Sequence, residues 1–166
     1  MHRSAITGGV TSIYVAVSGP GQAQPSELAA AERVGSLLAE RGAVVVTGGL
    51  GGVMEAACRG AKSVGGTTLG ILPGLERSAA NRWVDVALPT GMGEMRNALL
   101  VRASDVLIAI AGEFGTLSEV ALALKTDVPV VGLGTWELHK GGRAVAAFEQ
   151  ASDPESAVEL ALRGRV

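Results

Sequence analysis

The sequence predicts an α/β protein: a doubly wound, mostly parallel sheet in three layers, folded as a single domain. Three observations lead there. The short apolar runs are apolar throughout rather than alternating, the mark of strands buried on both faces. Helical patterns stand between consecutive runs, which implies right-handed crossovers and a sheet covered on both sides. Glycines gather where a run ends and the next helix begins, so the chain turns sharply at one edge of the sheet.

The elements follow in order. A first strand is expected at 13–17, closed by the turn Ser18-Gly19-Pro20-Gly21. Leu28, Ala31, Val34 and Leu38 then recur near helical spacing, with Ser26 as the expected cap and Gly42 as the terminator. A strand at 43–46 runs into Thr47-Gly48-Gly49-Leu50-Gly51-Gly52 and a helix to about Ser63, closed by Gly65-Gly66. Strand 68–72 ends in a Pro73-Gly74 turn and a polar loop to Arg82, and a fourth strand is expected at 84–88. Gly91-Met92-Gly93 opens a helix at 94–103. The most β-like run, 105–110, is joined by 112–116 to a helix at 116–125, and 129–133 makes a sixth strand. Residues 136–142 read as a loop, and 143–148 fit either a strand or a helix. Asp153-Pro154-Glu155 carries the cap, the first-position proline and the acidic first turn of a last helix. Residues 1–11 are expected to form a flexible N-terminal segment.

Composition narrows the function. With 48% hydrophobic but 3% aromatic residues, the core is aliphatic, and 166 residues suit one domain. A net charge of −2 leaves no basic field for a nucleic-acid backbone or an anionic bilayer, so neither is an expected partner. Cys58 stands alone, which excludes a disulfide framework and multi-cysteine zinc motifs. His2 and His139 lack ligand-spaced companions, so no metal site is expected. The apolar runs fall short of the roughly 20 residues of a membrane span, and a cytoplasmic location is expected. Cys58 reads as a small core residue. Trp83 and Trp136 read as packing or interface residues, with stacking on a base as the other use open to them.

In a doubly wound sheet ligands bind beyond the carboxyl ends of the strands, so the loops there carry the function. Three stand out. Gly48, Gly49, Gly51 and Gly52 leave backbone N–H groups open at a helix start, a ready anion site, although a tight structural turn needs the same glycines. The loop has no Gly-Lys-Ser/Thr of a Walker motif. Nor does it have the third glycine of a dinucleotide fingerprint, which falls on Met54, and strand 68–72 ends without an acidic residue for a ribose diol. The second loop, Ala111-Gly112-Glu113-Phe114-Gly115-Thr116-Leu117-Ser118-Glu119, offers the Thr116 hydroxyl to a phosphate. Its plain reading is a capping box with Thr116 as cap and Glu119 three residues on. The third, Gly91-Met92-Gly93-Glu94-Met95-Arg96-Asn97, sets Arg96 in the first turn of an otherwise apolar helix. There the macrodipole disfavours a cation by roughly 0.3–1 kcal/mol, so Glu94, Glu113, Glu119 or a bound anion must offset it.

These residues resemble the Lonely Guy (LOG) superfamily of Rossmann-like nucleotide-binding proteins, over nearly the whole chain to about Leu133. The superfamily's Pro-Gly-Gly-x-Gly-Thr-x-x-Glu appears as Ala111 to Glu119: Gly112, Gly115, Thr116 and Glu119 match, while Ala111 and Glu113 depart. Its Arg-Lys pair appears as Arg96-Asn97. Gly-Glu-x-Arg-Asn and Gly-Thr-Leu-Ser-Glu are closer to the branch related to the molybdenum cofactor carrier protein. A lysine decarboxylase, the superfamily's old label, is excluded: pyridoxal phosphate needs a Schiff-base lysine, and Lys62, Lys125 and Lys140 lie outside the glycine loops.

The resemblance implies a phosphorylated ribonucleotide-type ligand held by Ser18, Gly48, Gly49, Gly51, Gly52, Asn97, Gly112, Gly115 and Thr116. It implies hydrolysis of the N-glycosidic bond of a nucleoside 5′-monophosphate by Arg96 and Glu119. The alternative is a non-catalytic carrier of molybdenum cofactor or a nucleotide. Neither requires a resident cofactor; a bound nucleotide or molybdenum cofactor is the expected occupant. A homodimer or higher homo-oligomer is expected, because the helix at 94–103 is more apolar than one sheet face needs.

Overall fold

The computed structural model describes residues 12–165; the expected flexible segment 1–11 lies outside the described residues. Five strands of four or five residues, all rich in β-branched or aliphatic side chains, form the middle of the sheet. They are β1 (Tyr14–Ser18), β2 (Val44–Thr47), β3 (Thr68–Leu72), β5 (Val106–Ile110) and β6 (Val130–Leu133), flanked at the edges by β4 (Val86–Pro89) and β9 (Glu149–Ala151). The order is β4-β3-β2-β1-β5-β6-β9, and every pairing is parallel. The Rossmann-like, doubly wound α/β fold read from the sequence is therefore the observed one.

Alternating strand side chains feed two cores. Val106, Ile108 and Ile110 join Val15, Val17 and Val45 under helices α1 (Pro25–Glu40), α2 (Val53–Ser63) and α5 (Pro154–Leu162). Leu107 and Ala109 join Ala16, Val46 and Ile71 under α3 (Asn97–Arg102) and α4 (Phe114–Lys125). Helices thus cover both faces of the sheet. Cys58 is buried with its Sγ 3.5 Å from the Thr47 hydroxyl, and burial pushes its thiol pKa up. It is an inert core residue.

Several boundaries differ from expectation for local reasons. Helix α1 starts at Pro25, whose ring suits the first helical position, and Gln24 rather than Ser26 precedes it, its N–H donating to Glu27 at 2.8 Å. The expected helix at 94–103 opens as a 3-10 turn, Gly93–Arg96, and becomes α-helical only from Asn97. Helix α4 begins at Phe114, two residues before the expected start, so Thr116 sits inside its first turn and no capping box forms. Where 136–142 read as a loop and 143–148 stayed open, β7 (Leu138–Lys140) and β8 (Arg143–Val145) pair as an antiparallel hairpin. Its two-residue turn is Gly141-Gly142, both at positive φ, as a turn matched to strand twist requires. Strand β9, polar and three residues long, has no apolar pattern to betray it; it is defined by pairing with β6. Helix α5 begins as expected, with Asp153 accepting from the Ser156 N–H at 2.7 Å.

Candidate functional site

The chain leaves β1 toward β2 on one side of the sheet, and returns from β4 to β5 on the other side of β1. Loops from β1 and β5 therefore diverge, and a crevice opens between them at this topological switch point. It holds a cavity of about 430 Å³, within the range of small-ligand sites. Gly19, Pro20, Gly21 and Gln22 wall it from the β1 loop, Glu113, Gly115, Thr116 and Glu119 from the start of α4. Met54 of α2 and the pair Arg96-Asn97 complete the lining.

Arg96 and Glu119, far apart in sequence, meet here. Arg96 is 8% exposed and Glu119 6%, with Nη1 of the arginine 3.7 Å from Oε1 of the glutamate. The Ser18 hydroxyl donates to the other Glu119 oxygen. Burial pushes the Glu119 carboxyl up to about 7, with the Arg96 guanidinium pulling the other way. Burial also lowers the Arg96 pKa, opposed by Glu119 and Glu94; an arginine nevertheless stays charged at neutral pH.

The rest of the guanidinium is only partly engaged. Nη1 donates to the Asn97 side-chain oxygen, and Nη2 makes a long contact of 3.5 Å to the Gly48 carbonyl. Nε is buried and has no hydrogen-bond partner among the described residues. A buried charged donor without an acceptor is costly, on the order of 1–3 kcal/mol or more. An anion's oxygen would satisfy it, and a planar guanidinium suits phosphate in particular.

The α4 N-terminus supplies a second group of donors. Its flanking residue Glu113 is extended and makes no side-chain cap. The first helical amides, at Phe114, Gly115 and Thr116, precede the first intrahelical bond, from Leu117 N–H to the Glu113 carbonyl at 3.0 Å. Asn97 binds the helix from the side, its amide donating to the Ser118 hydroxyl at 2.8 Å. The Arg-Asn pair is thus fastened to α4 as well as lining the cavity.

The structure brings Arg96, Asn97, Gly115, Thr116 and Glu119 to one cavity. The other expected residues stand behind its wall or beside it. Ser18, 3% exposed, is occupied by Glu119. A side chain at Gly48 would run into the Arg96 guanidinium and Met54, so this glycine makes room for the arginine. Gly49 packs on Leu72 and Gly52 on the Pro20-Gly21 backbone, while Gly51 lies beside Gly21. At the α2 N-terminus the first helical amide, the Val53 N–H, donates to the Pro20 carbonyl at 3.0 Å. Gly112 lines a neighbouring cavity of about 480 Å³. The sequence reading missed Gly19, Pro20, Gly21 and Gln22. Gly19, Pro20 and Gly21 carry only the pattern of a turn and Gln22 carries none; the signal that could find them is position, a loop at the carboxyl end of the central strand.

Glu113 and Ala111 mark where this site departs from the glycine-rich loop it resembles. Glu113 is exposed and lines both cavities. Ala111 has φ 49°, a conformation that the locked ring of proline cannot reach. The loop is therefore built differently from one carrying proline there.

Residues 12–160 match the SLOG cluster4 family. An uncharacterized protein of Archaeoglobus fulgidus is 42% identical over 139 residues, covering 84% of this chain and 91% of that one. The cytokinin riboside 5′-monophosphate phosphoribohydrolase of Mycobacterium tuberculosis is 34% identical over 149 residues, covering 84% and 78%. Among solved structures, the molybdenum cofactor binding protein of Rippkaea orientalis superimposes with a TM-score of 0.82 at 39% identity, covering 92% of this chain and 96% of that one.

Proposed function

Because the chain belongs to the SLOG cluster4 family, we propose that it binds a small phosphorylated ligand, a nucleotide or molybdenum cofactor, in the β1–β5 crevice. The observation that carries this reading is Arg96, buried with Nε unpartnered on a residue that lines the cavity, beside the uncapped start of α4. The phosphate accepts from the Arg96 guanidinium, the Gly115 and Thr116 amides and the Thr116 hydroxyl. The relatives named for a phosphoribohydrolase and for molybdenum cofactor binding both fit a ligand of this kind.

Glu119 favours a hydrolytic reading of the same site. A carboxyl with a pKa of about 7 is present in both protonation states near neutrality, as acid–base work requires. In that reaction a water oxygen bonds to the anomeric carbon of a nucleoside 5′-monophosphate as the bond to the base nitrogen breaks. Glu119 takes the water's proton, or steadies the positive charge that develops on the ribose, and that same proton from the water ends on the departing base. Carriage alone needs the phosphate donors but no such chemistry.

The experiment is to incubate the purified protein with AMP and other nucleoside monophosphates and assay free base and ribose 5-phosphate. Product that disappears in Glu119→Gln supports hydrolysis. Binding without product, with a ligand recovered by mass spectrometry from the protein as purified, supports a carrier. Monophosphate binding unchanged in Arg96→Met overturns the phosphate site itself.

The chain is further proposed to pair as a homodimer or higher homo-oligomer. Supporting this, Met95 of the 3-10 turn is 72% and Leu99 of α3 42% exposed, close in sequence to the exposed Met92 and to the exposed Val86 and Leu88 of the edge strand β4. Exposed apolar residues in such number mark an interaction surface.

A further inference from the structure

The two cavities at the switch point share Pro20, Gln22 and Glu113, which makes them lobes of one cleft. Their chemistry differs. The first lobe holds Arg96, Thr116 and the start of α4. The second is lined by Gln22, Gln24, Glu27, Glu113, Thr135 and Trp136: two carboxylates, two amides, a hydroxyl and an indole, with no cation among the described residues. An anionic group is repelled there, whereas a ring bearing N–H donors finds acceptors.

The indole is held for contact rather than buried in the core. Trp136 is half-buried, and its Nε1 donates to the Glu113 carbonyl at 3.4 Å. Its own carbonyl accepts from the Gln150 amide at 3.1 Å. The neighbouring Thr135 hydroxyl donates to the Ala111 carbonyl, tying the β6 loop to the β5 loop. Phe114, 76% exposed, lies 5.8 Å from the indole, centroid to centroid, with the planes inclined at 35°. The whole chain has five aromatic residues, two Trp, one Tyr and two Phe. Two of them pack on each other here, and Trp136 lines the cleft, where an amphipathic ring serves as a platform.

We infer that the second lobe takes the heterocyclic end of the ligand: a planar, amino-substituted nitrogen heterocycle, purine or pterin, stacked on Trp136 with its N–H edge toward Glu113. The inference rests on the phosphate site of the first lobe for the direction in which the ligand lies. Glu113 thereby becomes a specificity residue. A glycine at its position leaves the heterocycle edge unread.

The test uses the full chain carrying Trp83→Phe, so that emission comes from Trp136 alone. Guanosine 5′-monophosphate, a pterin monophosphate and ribose 5-phosphate are titrated, with affinity measured by calorimetry and stacking by quenching of the indole. Ribose 5-phosphate is expected to bind without quenching. The heterocyclic ligands are expected to bind roughly 5- to 100-fold more tightly and to quench, as stacking of a base on an aromatic side chain provides. Trp136→Ala then lowers their affinity toward that of ribose 5-phosphate and leaves ribose 5-phosphate unchanged, while Trp136→Phe restores much of the loss. Glu113→Gln weakens the heterocyclic ligands selectively. Which of the two heterocycles binds better tells purine from pterin.

No gain over ribose 5-phosphate, binding without quenching, or no binding by either heterocycle overturns the inference. Failure of the phosphate site looks different: the monophosphates bind Arg96→Met as well as the unaltered protein, yet quenching by free guanosine or a free pterin, lost in Trp136→Ala, still supports the aromatic lobe.

Discussion

Glu119 is the residue through which stability, and the proposed hydrolysis, answer to pH. Its carboxyl holds a proton up to about pH 7 in the folded chain, against an ordinary value of 4.5. Between these limits the folded state binds more protons than the unfolded one, so stability falls as pH rises from about 5 to 7 and levels off above. The expected loss is on the order of 1–3 kcal/mol. Urea unfolding at pH 5 and pH 8 should show this fall in the unaltered protein and a smaller one in Glu119→Gln. An equal fall in both would assign the pH dependence elsewhere. Ala111 offers a second test at this scale. A non-glycine residue at φ 49° carries strain of about 1 kcal/mol or more. Ala111→Gly is expected to be tolerated or slightly stabilising, and Ala111→Pro to lower stability by about 3 kcal/mol or more because proline cannot reach that φ. Thermal unfolding of the two variants decides it.

At the scale of elements, the close approach of α1 and α2 stands out. A side chain at Gly35 would run into the Ala57 carbonyl, and one at Gly60 into the Glu32 carbonyl. These glycines face each other's helix backbone, and the obstacle is backbone that cannot swing aside. Gly35→Ala or Gly60→Ala gains about 1 kcal/mol of helix propensity yet forces the helices apart, and overpacking of this kind typically costs about 1–3 kcal/mol. A net destabilisation is expected in chemical unfolding, and a stabilised variant would show that the helices separate freely. The separation matters for function, because Met54 of α2 lines the cleft. On the opposite face, the cation at the start of α3 is offset by the Glu119 carboxylate, 3.7 Å away. Arg96 lies just ahead of the α-helical turns, where Glu119 faces it and Asn97 accepts from it.

For the whole molecule, the switch point between β1 and β5 explains why one crevice collects residues from four distant stretches of chain. The fold was legible because its causes are local or periodic: unbroken apolar runs, helical spacing, and glycines at the turns. The candidate site was legible where a motif marked its lining, as for Arg96, Glu119, Gly115 and Thr116. It was illegible where a residue's use depends on what folds against it. Gly48 and Gly52 read as phosphate cradles, but in the fold they are filled by a guanidinium and by the β1 loop. The exposed apolar residues of β4, of the 3-10 turn and of α3 carry one further prediction. The proposed pairing of two copies should place the protein at twice its chain mass in sedimentation, and Met95→Glu with Leu99→Glu should return it to a monomer without unfolding it. A monomer in the unaltered protein at micromolar concentration sinks the pairing.

The sequence by itself determined the layered α/β architecture, the sheet edge that carries the candidate site and the Arg96 and Glu119 candidates, because hydrophobic period and turn chemistry act over a few residues. Only the tertiary structure decided which loops face the cleft, which donor is left without a partner, and that Glu113 and Trp136 share a lobe without a cation. Those outcomes depend on contacts between residues distant in the chain, where burial and packing, rather than local preference, set what each side chain meets.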